Sequence, residues 1–172
     1  MYQRYMFEKE GKLLLFMEIA SSFAPNCYFK VYKDYEKTVA YWRTELKRDD
    51  YFDLLSNLHT IKVSSLQEIS KTSEYHRELD KVCPVNSQVL TKEQESIIFK
   101  LLNAKLDEKI ELSGGRDGHS YRIMLHGDKI SSIRCWCIIS SEWKLLADII
   151  NTLVIDVAGL DPLHYAIKMR NC

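Results

Sequence analysis

Apolar residues in this chain recur at every second position in two separate blocks, and helical spacing takes over after each block. That arrangement constrains the fold most. A doubly wound parallel sheet needs strand and helix to alternate one for one along the chain, and no such alternation is present. Two groups of strands, each beside helices, imply the α+β class instead: an antiparallel sheet or sheets with helices packed on one side.

The first block opens with Leu13, Leu15, Met17 and Ile19 alternating around Leu14, Phe16 and Glu18, which predicts a strand buried on at least one face. Ser21 to Asn26, with Pro25, predicts a connection. Cys27 to Lys33 alternates aromatic with basic residues and predicts a second, antiparallel strand. From Tyr35 the spacing of Tyr35, Val39, Trp42 and Leu46 predicts a helix with one apolar face. Leu54, Leu55 and Leu58 predict a second short helix over 51–58. Residues 59–90 carry little pattern, and a short strand near Ile61 followed by irregular structure up to Pro84 is expected.

Thr91 begins a sharper signal. It is placed to cap a helix, with Gln94 three residues on to complete a capping box, and with Glu93 and Glu95 where the helix dipole favours negative charge. Ile98, Leu101, Leu102 and Leu106 supply the buried stripe. Lys109 to Leu112, Ser120 to His126 and Ile130 to Ile139 then predict three strands of a meander. They are joined by 114–118 and by Gly127-Asp128, both rich in residues that tolerate positive φ. A last helix is expected from Ser141, with Trp143, Leu146, Ile149, Ile150, Leu153 and Val154 inward and Gly159 as its stop.

At 172 residues, with no linker or repeat, the chain suits one domain over 1–172. An apolar fraction of 46% and a charged fraction of 28% are those of a globular protein, not a disordered one. The formal charge is zero, and the two parts on either side of residue 90 are each neutral. A phosphate-gripping protein needs a basic excess or stripe. Here Lys30, Lys33, Lys37, Arg43, Lys47 and Arg48 are interleaved with Asp34, Glu36, Glu45, Asp49 and Asp50, so direct nucleic-acid binding is not expected. No run approaches the roughly eighteen apolar residues of a membrane span, and Glu8 and Glu10 stand where a secretory leader would be basic. The expected location is cytoplasmic, with no membrane contact. Five scattered cysteines fit reduced thiols better than a disulfide framework.

Motifs for chemistry are sparse. Neither G-x-G-x-x-G nor G-x-x-x-x-G-K-[ST] occurs, and the glycines of 114–118 precede a strand, not the helix a phosphate loop needs. Cys135 and Cys137 share a strand face but lack the second ligand pair of a structural zinc site, so no metal and no cofactor is expected. There is no G-x-S-x-G elbow. Asp117, His119 and Glu142 could act as general acid and base if they converged, which defines an alternative reading as a small hydrolase-like enzyme. Turn chemistry explains Asp117, and a place in a helix first turn explains Glu142. No catalytic residue is assigned, and the chain is not read as an enzyme.

The remaining anomaly is aromatic. Seven of ten tyrosines lie in the first 51 residues: Tyr2, Tyr5, Tyr28, Tyr32, Tyr35, Tyr41 and Tyr51, together with Trp42. Tyr28, Lys30 and Tyr32 share one face of the second strand, which reads as an amphipathic, partly exposed surface. Rigid rings supply contact area at low entropic cost. Tyr28, Lys30, Tyr32, Tyr35 and Trp42 are therefore the expected partner-binding set, the alternative being that they cover a sheet core.

In the C-terminal half, Asp117-Gly118-His119-Ser120-Tyr121, a strand through Leu125, a Trp-bearing strand at 134–138 and a helix opening Ser141-Glu142-Trp143 follow one another. This layout resembles the D-G-x-x-Y, strand, Trp, strand, helix pattern of small bacterial α+β proteins that include immunity proteins of contact-dependent growth inhibition and other polymorphic toxin systems. The resemblance spans residues 110–158. It implies a protein that binds a cognate toxin, commonly a nuclease domain, and blocks its active site or its access to substrate. An acidic face would suit a basic toxin; the overall charge is balanced. A homodimeric structural or adaptor protein using Tyr28 and Tyr32 is a further alternative.

Overall fold

The computed structural model describes residues 7–21, 27–44, 53–54, 56, 58, 72–104, 109–111, 119–136 and 141–159. Seven strands form one sheet: β1 (Lys12–Ser21), β2 (Cys27–Lys33), β3 (Thr38–Thr44), β4 (Asn86–Val89), β5 (Lys109–Glu111), β6 (His119–His126) and β7 (Ile130–Trp136). Among the described residues three helices with assigned bounds accompany them: α1 (Ser73–Val82), α2 (Lys92–Leu102) and α3 (Ser141–Ala158). The fold is α+β, as the pattern implies.

The strand order is β4-β3-β2-β1-β6-β7-β5. The two expected strand groups are thus one sheet, joined where β1 pairs with β6, Met17 opposite Ile123. All neighbours are antiparallel except β5, which pairs parallel to β7. The expected meander is therefore a β6–β7 hairpin with a parallel edge strand. Gly127 in the hairpin turn serves packing rather than positive φ: a Cβ there would stand 2.8 Å from the Leu102 carbonyl oxygen at the end of α2.

The predicted helix through Tyr35 and Trp42 is instead β3. Its Val39, Ala40 and Arg43 are buried, so both faces of the strand meet protein and the period of two is hidden. Asp34 forces the chain back before a helix can start: its Oδ1 accepts from the amides of Glu36 and Lys37, each at 2.9 Å. The stretch expected to be irregular holds α1, capped by Thr72, and β4. Ile61 lies outside the described residues. Asp53, Leu54 and Ser56 are helical, with Leu54 and Leu58 buried.

Helices cover both faces, not one. On the first face Leu15, Met17, Phe29, Val31, Ile123 and Ile133 pack against Ile98 and Leu101 of α2 and Leu146, Ile150, Leu153 and Val154 of α3. On the second, Phe16 and Tyr28 pack against Phe7, Leu54, Leu58 and the α1 residues Tyr75 and Leu79. A central strand with apolar residues on both sides, as in β1, requires two covering layers.

α2 begins where the sequence places it. Thr91 Oγ1 accepts from Gln94 N at 3.3 Å and Gln94 Oε1 accepts from Thr91 N at 2.9 Å, a reciprocal capping box. Gly159, at φ 63°, ends α3.

Candidate protein-binding surface

Of the expected partner-binding set, the three β2 residues are inside. Tyr28, Lys30 and Tyr32 are 1%, 2% and 3% exposed, which corrects the reading of that face as partly open. Their alternation shows correctly that they share a side. It does not show that Phe7, the residues around Leu54 and α1 would form a lid over that side. A symmetric contact through Tyr28 and Tyr32 has no surface to use.

Within this layer Lys30 donates to the Phe7 carbonyl and lies 3.2 Å from Glu8 Oε1. Its ammonium also stands over the rings of Phe7 at 5.0 Å and Phe16 at 5.6 Å. Burial pulls the Lys30 pKa down, and the Glu8 carboxylate works against that shift. Tyr32 donates its hydroxyl to Glu8 Oε2 at 3.0 Å. Burial, then the bond to Glu8, pushes the phenol up to about 12.

Next to Lys30 runs a polar row that motif reading does not find. Arg43 of β3 faces Tyr28 of β2, Tyr28 faces Glu18 of β1, Glu18 faces Arg122 of β6, and Arg122 faces Arg134 of β7. Glu18 and Arg43 are each 2% exposed, and Arg43 is paired with Asp80 of α1. Arg122 lies over the Phe16 ring at 5.5 Å. The one sequence signal is Glu18 itself, a charge inside an otherwise apolar strand. Such a row ties the strands and α1 together, because a one-residue slip would strand buried charges.

Tyr35 is the opposite case. It stands at the tip of the β2–β3 hairpin, fully exposed, in a turn closed by Asp34 N donating to Lys37 O at 3.1 Å. The tip is braced from below: Lys33 lies 3.3 Å from Glu95 of α2 and its ammonium covers the Phe99 ring, while Thr38 donates to the same Glu95 carboxylate. An open cleft beside Tyr35 is lined by Glu10, Gly11, Lys12, Lys33 and Asp34. Trp42, half-buried, packs on the other sheet face with the main core, opposite Phe29.

The acid–base set is spread along the chain. His119 is the first residue of β6 and Glu142 the second of α3, while Asp117 lies outside the described residues. Cys135 pairs with Tyr121 in the β6–β7 hairpin. Among the described residues no group of three or more His, Cys, Asp or Glu could hold a metal, and no helix is long and apolar enough to cross a membrane.

Exposed apolar side chains also mark α3. Leu146, Ile150, Leu153 and Val154 point inward as expected, but Ile149 does not: it joins Leu145 and Ile155 on the outer side. Compared with known proteins, the chain matches no family model, no curated protein and no solved structure.

Proposed function

We propose that the chain is a protein-binding inhibitor of the immunity type, acting in the cytoplasm, which neutralises a cognate toxin such as a nuclease domain by covering it. One observation carries this reading: a fully exposed tyrosine held on a braced turn. A large ring left in water on a rigid support loses little entropy when a partner covers it, which is the signature of an interface anchor. Tyr28, Lys30 and Tyr32 act from behind, packing the strand that carries the tip. The C-terminal pattern around Tyr121 and the helix at Ser141 supports the same reading by resemblance.

Co-expression tests it. A toxin domain encoded next to this chain should arrest growth alone and be tolerated with it, and Tyr35→Ala should lose that protection while folding normally. Failure of the unaltered chain to protect against the adjacent toxin sinks the proposal. Full protection by Tyr35→Ala sinks the role of the anchor.

A further inference from the structure

We infer that the outer face of α3 is a second docking surface, built for a partner protein whose own surface is basic and studded with apolar side chains. The inference is independent of the toxin reading, which rests on Tyr35. Among the described side chains of α3 the exposed positions are Leu145, Asp148, Ile149, Thr152, Ile155 and Asp156, a single stripe at helical spacing. The opposite stripe, from Leu146 to Val157, is in the core. A surface helix ordinarily turns charged residues outward. Here three of six outward positions are large and apolar, at 64%, 36% and 44% exposed for Leu145, Ile149 and Ile155. Grouped exposed apolar residues mark contact sites.

The charge on the stripe selects the partner. Over the described side chains of α3, from Leu145 on, there is no Lys, Arg or His; Lys144 precedes this stretch in the first turn, and the last turn has no basic residue to offset the helix C-terminus. Among the described residues neither Asp148 nor Asp156 is in an ion pair; Asp156 accepts from the neutral amide of Gln94. A second copy docked on the same face would set these carboxylates against each other, and an anionic bilayer would be repelled in the same way. A basic partner gains from both features at once.

The full chain would be titrated into a labelled synthetic amphipathic helix with a leucine stripe flanked by lysines, and into a control with glutamates in place of the lysines, by fluorescence anisotropy. The lysine helix should bind saturably and weaken with salt, and the glutamate helix should not bind. Asp148→Lys, and separately Leu145→Ser with Ile149→Ser, should each weaken binding about tenfold or more. Circular dichroism of both variants should match the unaltered chain; melting should be unchanged for the exposed Asp148→Lys and only modestly lower for the serine pair, since Ile149 is 36% exposed. Equal binding of both helices, or no effect of either variant, overturns the inference. So does concentration-dependent dimerisation in sedimentation velocity that Leu145→Lys abolishes, since a second copy would then be the occupant. Flotation with anionic vesicles that Leu145→Ser with Ile149→Ser removes overturns it as well.

Discussion

Lys30, almost wholly buried, holds its ammonium 3.2 Å from the carboxylate of Glu8, whose side chain is 79% exposed. The pair is lopsided: the cation has lost its water while the anion keeps most of its own. Removing the anion should therefore matter more than removing the cation. Glu8→Gln, which weakens the bonds to both Lys30 and Tyr32, is predicted to lower stability by roughly 1–2 kcal/mol in urea unfolding. Lys30→Met, which fits the same space beside Phe7 and Phe16, should be neutral or stabilising by about 1 kcal/mol.

The same pair predicts a pH dependence. Burial lowers the folded-state pKa of Lys30 below the unfolded 10.5, so between the two values the unfolded chain binds more protons. Stability contributed by this site therefore rises with pH across that window, and the full cost of burying the charge is felt below it. The advantage of Lys30→Met over the unaltered chain should shrink as pH climbs toward 10.5. A difference that stays flat would mean that Lys30 titrates normally.

Gly11 adopts φ 104°, and a Cβ there would stand 2.7 Å from the Lys33 carbonyl oxygen. Neither the dihedral nor the contact suits another residue. Gly11→Ala should cost about 2 kcal/mol and disturb the hairpin base next to Tyr35. Urea midpoints measure the first effect. Any partner that contacts Tyr35 should show the second as faster dissociation.

Thr91→Ala removes the acceptor for Gln94 N and should destabilise the protein by about 1 kcal/mol, with Thr91→Ser recovering most of it. Gln94→Ala should cost more, since Gln94 is buried, completes the box and also reaches Asp156 of α3. Thermal melts of the three variants check the order.

Burial pushes the Cys27 thiol up to about 12 from an unfolded value of 9.0. The native chain should therefore alkylate at Cys27 on the order of 100-fold more slowly than the chain in denaturant, as read by mass spectrometry. The sign is the reverse of that for Lys30: this stability is complete below 9.0 and lost as pH rises toward 12.

Local signals were legible wherever one short stretch contains the whole physical cause. The Thr91–Gln94 box, the Gly127-Asp128 hairpin and the stop at Gly159 each depend on neighbours within a few residues, and all three stand where the sequence puts them. β3 was illegible because Val39 and Trp42 happen to fall at helical spacing while both faces of the strand are covered. The period that would identify it is masked by the packing it enters.

The candidate surface divides along the same line. Alternation alone places Tyr28, Lys30 and Tyr32 on one side of a strand, the order of alternating and helical spacings gives the α+β class, and composition gives a neutral, globular chain. Whether that side meets water was set elsewhere, by Tyr75 and Leu79 arriving from a helix more than forty residues later. Burial is a property of the second layer, and nothing within β2 encodes which layer will come. Tyr35 stays in solvent and Lys30 does not for that reason alone: one rides on a turn beyond the sheet, and the other lies beneath a lid supplied by distant chain.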